Sequence, residues 1–162
     1  MRRWRGCTPG FVKGMWSRSM LRSYILLVDD DPEYRNFLSA VFERRTLKVK
    51  TAWNGQDALK VVAAEPVRPF LVICDAVMPV MDGFELSRVA SRHPQLQNVP
   101  FVMMTWYPFG PSIASTIRTT DCWTKPVDPD KAAAYAVNYQ KQWLDGVRRS
   151  LRTGSSASVE KL

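Results

Sequence analysis

Histidine is nearly missing from this chain: His93 is the only one in 162 residues. A histidine-based metal site or catalytic triad therefore has nothing to be built from. Cysteine is scarce as well. Cys7, Cys74 and Cys122 are odd in number and scattered without metal-ligand spacing, which argues against a disulfide framework and for a reduced compartment, the cytoplasm. No uninterrupted apolar stretch is long enough to span a bilayer, so no membrane span is expected. Acids are absent from residues 1–22, which hold Arg2, Arg3, Arg5, Lys13, Arg18 and Arg22. That leader accounts for most of the charge: the net +8 of the chain falls to +2 over residues 23–162. The body is thus nearly neutral, and no nucleic-acid partner is expected from the isoelectric point alone.

The remaining composition, 46% hydrophobic and 23% charged, is that of one globular domain with a sizeable core. Residues 1–22 lack periodicity, carry Gly6, Pro9, Gly10 and Gly14, and read as a disordered basic leader. Arg2-Arg3 is not followed by the apolar region of an export signal. An Arg-rich, acid-poor leader also fits an organelle transit peptide, but a floppy tail or a true start at Met20 is the simpler reading. Residues 23–150 form the expected domain, and the Ser/Gly-rich 151–162 a disordered tail.

Within the domain, short apolar runs alternate with helical periodicity. Tyr24–Val28 reads as a buried strand, and Asp31-Pro32 supplies an N-cap and a first-turn proline. Tyr34, Phe37, Leu38, Val41 and Phe42 recur at helical spacing. Leu47–Ala52 alternates as a second strand. Asn54-Gly55 turns into a helix carrying Ala58, Leu59, Val61 and Val62. Phe70–Cys74, the most continuously apolar run, predicts a central strand. Asp82-Gly83 opens a third helix, and Val99–Met104 is a fourth strand. Pro108, Gly110 and Pro111 confine the next helix to about two turns around Ile113–Ile117. Cys122–Thr124 is a short fifth strand, and Asp128-Pro129-Asp130 caps a long last helix ending near Arg148 and Arg149. Five strands alternating with five helices predict an α/β fold with a parallel sheet.

Each strand run ends in a polar group: Asp29-Asp30-Asp31, Asp75, Thr105 and Lys125-Pro126. In one parallel sheet these groups meet at the carboxyl edge, where open α/β sheets bind ligands. A carboxylate there can attack a phosphoryl group and carry it as an acyl phosphate, and Asp75 is the candidate nucleophile. Anionic phosphate approaching a cluster of carboxylates calls for a divalent cation. Hard oxygen ligands suit Mg²⁺. Asp30 and Asp75 are the expected direct ligands, Asp29 binds directly or through water, and the backbone carbonyl of Val77 adds a neutral ligand. Lys125 supplies a second positive charge, and the Thr105 hydroxyl donates to a phosphoryl oxygen and so senses it.

Taken together, Ile25-Leu-Leu-Val-Asp-Asp-Asp-Pro32, Ala52-Trp-Asn-Gly55, Asp75 with Met78-Pro79 and Met81-Asp82-Gly83, Thr105 and Lys125-Pro126 resemble the receiver domain of two-component response regulators. The separations, 45 residues from Asp30 to Asp75 and 30 from Asp75 to Thr105, match that family's practice. The resemblance covers about residues 23–150. It implies a flavodoxin-like doubly wound sheet, helices on both faces, in strand order 2-1-3-4-5. It also implies a cis Lys125-Pro126 peptide and phosphotransfer to Asp75 from a histidine kinase or histidine phosphotransfer protein. The signal would then pass to a downstream protein, with a homodimer possible. With about a dozen residues after the last helix, a stand-alone receiver is expected, which catalyses only its own phosphorylation and dephosphorylation. Three features depart from the family. Trp106 stands where a small residue is usual, the 20 residues from Thr105 to Lys125 are a short separation, and Cys122 occupies the place of the switch aromatic with Trp123 beside it. Trp106 or Tyr107 is the candidate substitute for that aromatic.

Two other functions compete. One is a pseudo-receiver, the same fold binding partners without phosphorylation. The other is a haloacid-dehalogenase-like phosphatase with Asp29 as nucleophile. Asp29-x-Asp31, Thr105 and Lys125 match its motifs superficially, but Asp128 and Asp130 read as helix caps rather than its further acidic motif. Asp31 and Asp82 likewise read as caps, Cys74 as a buried inert thiol, and His93 as a capping or surface residue.

Overall fold

The computed structural model describes residues 22–107 and 119–153. The leader up to residue 21, the two-turn helix expected around Ile113–Ile117 and the residues beyond Thr153 lie outside the described residues. Five strands form one parallel sheet: β1 Ile25–Val28, β2 Val49–Ala52, β3 Leu71–Asp75, β4 Phe101–Thr105 and β5 Asp121–Thr124. Their order is β2-β1-β3-β4-β5, as the resemblance implied. The most apolar runs take the middle of the sheet because those strands are covered on both faces. Every residue of β1, β3 and β4 is buried, whereas the edge strands β2 and β5 are largely open.

Strand alternation sorts the core into two layers. Leu26, Val28, Val72, Cys74, Phe101 and Met103 face helices α2 (Gly55–Ala64) and α3 (Gly83–Ala90), meeting Ala58, Val62, Leu86 and Ala90. Ile25, Leu27, Leu71, Ile73, Val102 and Met104 face α1 (Pro32–Glu43) and α4 (Pro129–Thr153), meeting Leu38, Phe42, Ala132 and Ala136. Burying a large aliphatic side chain this way stabilises the fold by roughly 2 kcal/mol. Helices thus cover both faces.

Side-chain caps start the helices, those of Asp31, Asp82 and Asp128 as expected. Asp31 accepts from the N–H groups of Glu33 and Tyr34 at 2.8 and 3.2 Å, Asn54 from Asp57 at 2.8 Å and Asp82 from Glu85 at 2.8 Å. Asp128 accepts from Asp130 and Lys131 at 3.0 and 3.1 Å. Each cap contributes about 1 kcal/mol and fixes where the chain turns from sheet edge into helix.

Several boundaries differ from expectation. Leu47 precedes β2 and packs instead into the α1/α4 layer, its N–H donating to Phe42 O at 3.2 Å. β4 starts at Phe101 because Pro100 has no N–H for the ladder, though its carbonyl accepts from Val72 at 2.9 Å. The last helix runs past residue 150 to Thr153, since no Gly or Pro interrupts Val147–Thr153. Phe37, expected on the apolar stripe of α1, is 49% exposed, while Leu38 and Phe42 carry the packing.

Candidate functional site

The carboxyl ends of β1, β3 and β4 and the residue after β5 bring Asp29, Asp75, Thr105 and Lys125 to one edge of the sheet. Asp29 follows β1 directly. Its N–H donates to Ala52 O at 3.1 Å, and its side chain is fully buried. One carboxylate oxygen accepts from Asp31 N–H at 3.0 Å, and the other from Lys125 Nζ at 2.8 Å. Its carbonyl accepts from Arg35 Nη1 at 2.6 Å, anchoring the β1–α1 turn to the helix that follows. Asp30 is exposed, so the pair presents one sequestered and one open carboxylate.

Asp75 closes β3 with only 6% of its surface exposed. Oδ1 accepts from Ala76 N–H at 2.8 Å, and Oδ2 lies 3.1 Å from Lys125 Nζ. Gly83 packs directly beneath: its N–H donates to Ala76 O at 3.0 Å, and a Cβ on it would collide with Asp75 O and Met103 Sδ. The Cys74 thiol is wholly buried, donates to Asp75 O at 3.1 Å and is held well above its usual titration range by burial and then by the Asp75 charge. That is the inert thiol expected.

Lys125 is positioned by its backbone as much as by its partners. Its N–H donates to Thr105 O at 2.7 Å, extending the β4–β5 ladder by one bond, and the peptide to Pro126 is cis. The side chain points inward, 2% exposed, and bridges Asp29 and Asp75. Burial raises the carboxyl of Asp29 above the usual range, and the hydrogen bond and charge of Lys125 only partly oppose it. Asp75 is raised as well, by burial first and then by the Asp29 charge, against the pull of Lys125. Burial would lower the ammonium of Lys125, but the Asp29 hydrogen bond and both carboxylates outweigh it, and the group stays charged.

Carboxylate oxygens of Asp29, Asp30 and Asp75 all lie within 4.8 Å of one another. With all four groups ionised, three carboxylates against one ammonium leave a surplus of two negative charges. An all-oxygen, doubly negative set with one open member fits a small hard divalent cation that retains water ligands.

Thr105, 5% exposed, points its hydroxyl into its own turn, donating to Tyr107 O at 2.9 Å and accepting Tyr107 N–H at 3.2 Å. Val77 is a loop residue with a 73% exposed side chain. Trp106 is 55% exposed, so it flanks the site rather than filling it. Trp123 neighbours Met104 across the ladder, on the α1/α4 side, and packs edge-on against Tyr135 with ring centroids 5.1 Å apart. Cys122 neighbours Met103 on the opposite face. A shift of one residue along a strand changes the face. Asp29, the nucleophile of the phosphatase reading, is wholly buried with both oxygens engaged, whereas Asp75 keeps 6% of its surface open.

Sequence reasoning missed Tyr34, whose ring centroid lies 4.6 Å from Lys125 Nζ and whose hydroxyl accepts from Val127 N–H at 2.9 Å. It also missed Arg35 and the steric role of Gly83. The available signal was position: Tyr34 lies in the first turn of a helix that starts at the acidic triplet, which keeps its ring near the sheet edge.

The model of the response regulator receiver domain family matches residues 25–136. Among curated proteins, the chain is 36% identical over 107 residues to an uncharacterized 14.6 kDa protein of Leptolyngbya boryana, covering 65% of this chain and 80% of that protein. It is 32% identical over 81 residues to protein PilH of Pseudomonas aeruginosa, covering 50% of this chain and 65% of that one. It is 36% identical over 81 residues to the transcriptional regulatory protein AfsQ1 of Streptomyces coelicolor, and there it spans only 34% of the relative's length. Among solved structures it resembles the receiver domain of a signal transduction histidine kinase from Syntrophus aciditrophicus, at TM-score 0.64 and 28% identity, covering 78% of this chain and 93% of that one. Chemotaxis protein CheY4 of Vibrio cholerae matches at TM-score 0.64 and 27% identity, over 72% of this chain and 98% of that one.

Proposed function

The chain belongs to the response regulator receiver domain family, and from that premise we propose that Asp75 is the residue it phosphorylates. The observation that carries this reading is the sharing of one buried ammonium, Lys125, between Asp29 and Asp75 at the carboxyl edge of the sheet. A carboxylate oxygen of Asp75 attacks phosphorus, the bond from phosphorus to the donor breaks, and the leaving group departs with the bonding electrons. The donor class is a phosphohistidine on a histidine kinase or histidine phosphotransfer protein, whose imidazole is that leaving group. Lys125 supports the charge gathering on the transferred oxygens, and the Ala76 N–H holds the Asp75 carboxylate in place. Asp30, Asp75, Asp29 directly or through water, and the Val77 carbonyl would hold Mg²⁺, which offsets the repulsion between phosphoryl and carboxylate oxygens.

Among the described residues, Phe37, Trp53, Val77, Val80, Trp106 and Tyr107 are the exposed large hydrophobic side chains, and each belongs to α1 or to a loop at the carboxyl edge. Apolar exposure concentrated around the site favours protein partners there, a donor and then a downstream protein. No helix among the described residues is long and apolar enough to cross a membrane. We place the protein in the cytoplasm, where its donors present their phosphohistidines.

The test is phosphorylation by acetyl phosphate with Mg²⁺, followed by borohydride trapping and mass mapping. Label is expected at Asp75 and absent from Asp75→Asn. An unlabelled Asp75, with partner binding unchanged in Asp75→Asn, would establish a phosphorylation-independent interaction module instead.

A further inference from the structure

A lysine side chain is flexible, and an ammonium between two carboxylates can swing toward either. In this site the head group has a third neighbour that is not an anion. Lys125 Nζ donates to Asp29 at 2.8 Å and lies 3.1 Å from Asp75, and the ring of Tyr34 faces it at 4.6 Å. The indole of Trp106 stands farther off, at 5.7 Å, with its ring 6.3 Å from that of Tyr34. An ammonium has three donors, so two carboxylate partners leave one for an aromatic face. The same tyrosine holds the backbone just beyond the lysine, its hydroxyl accepting from Val127 N–H at 2.9 Å. Its own place is set by the Asp31 cap, which accepts Tyr34 N–H at 3.2 Å.

We propose that Tyr34 is a positioning residue for Lys125: its ring face, with Trp106 as the outer wall, holds the ammonium over Asp75, and its hydroxyl ties down the loop that follows. The inference rests on the reading of Asp75 as phosphoacceptor. A ring face attracts the ammonium in this desolvated place without adding negative charge that would repel an incoming phosphoryl group. An aliphatic residue would fill the space but leave the head group without a directional hold. A carboxylate would draw Lys125 away from Asp75. The ring and the hydroxyl act on different atoms, so substitutions can separate them.

The experiment compares wild type, Tyr34→Phe and Tyr34→Leu by two readouts. The first is the NMR shift of the Lys125 methylene protons beside Nζ, which ring current moves upfield whether or not Asp75 is phosphorylated. The second is the rate of Mg²⁺-dependent labelling by acetyl phosphate. The upfield shift is expected in wild type and Tyr34→Phe and reduced in Tyr34→Leu to what the more distant Trp106 ring supplies. Labelling is expected within about twofold of wild type in Tyr34→Phe and on the order of tenfold slower in Tyr34→Leu. Loss of the Val127 hydrogen bond lowers the melting temperature of both variants, so it is separable from the ring effect, which appears only without the ring. Should Tyr34→Leu not fold, Tyr34→Met carries the same comparison. An ordinary Lys125 shift in wild type overturns the proposal, as does a folded Tyr34→Leu that labels at the wild-type rate. If wild type does not label at all, the phosphoacceptor reading falls, and the NMR comparison alone decides the positioning role.

Discussion

The hydroxyl of Thr105 donates to the carbonyl of Tyr107 at 2.9 Å and accepts the N–H of the same residue at 3.2 Å. The side chain that would sense a phosphoryl group thus closes a small turn around Trp106. A phosphoryl oxygen on Asp75 that draws this hydroxyl away opens the turn and moves the indole. Tryptophan fluorescence is therefore expected to be quenched when Mg²⁺ and beryllofluoride are added to wild type. Thr105→Val, which has no hydroxyl, should give no quench yet still label at Asp75. It should also lose about 1 kcal/mol of stability with the turn. A full quench in Thr105→Val would separate Trp106 from Thr105.

Lys125→Met leaves Asp29 and Asp75 facing each other without their shared cation. Both carboxylates are held in the interior by that ammonium, and breaking a buried pair costs about 3 kcal/mol. The urea midpoint should fall accordingly in the absence of Mg²⁺ and recover in part with it. A Lys125→Met midpoint equal to wild type would show that the bridge carries no net stabilisation.

Stability without Mg²⁺ should decline as pH rises from acid toward neutral. Burial raises the carboxyls of Asp29 and Asp75, so the folded protein keeps protons that the unfolded chain releases from about pH 4 upward. Where the native state binds more protons, raising pH costs stability, and the cost is complete once pH passes both folded values. Lys125, also raised, adds a loss of the same sign at the alkaline end. Mg²⁺ should consequently raise the melting temperature little near pH 4 and progressively more toward neutral pH. A Mg²⁺ effect of equal size across that range would rule out these carboxylates as its site.

Gly83→Ala should disturb the phosphoacceptor without touching its chemistry. The added methyl meets Asp75 O and Met103 Sδ, and the first of these is backbone that cannot rotate away. A loss of about 2 kcal/mol is expected from overpacking, along with slower labelling of Asp75. Unchanged stability would mean that α3 can shift outward freely.

Much of this was written in one dimension. The strand runs, the caps Asp31, Asn54, Asp82 and Asp128, and the edge residues Asp29, Asp75, Thr105 and Lys125 are all local features. Each follows from apolar runs, capping chemistry and chain order. Phe37 was misplaced because helical spacing defines a stripe but not its edges: Leu38 and Phe42 reach the sheet, and Phe37 sits just outside. Which face Trp123 takes is not legible along the chain, because adjacent strand residues point to opposite faces and only pairing with Met104 decides it.

By itself, then, the sequence determined the α/β class and which groups end up at the carboxyl edge, because hydrophobic period and strand ends are properties of neighbouring residues. The tertiary structure alone decided how those groups divide their partners. Lys125 lies 96 residues from Asp29 in the chain yet 2.8 Å from it in space, and its third neighbour is an aromatic ring rather than a third acid. Such contacts depend on how two layers of helices close over one sheet, and no periodicity along the chain encodes that distance.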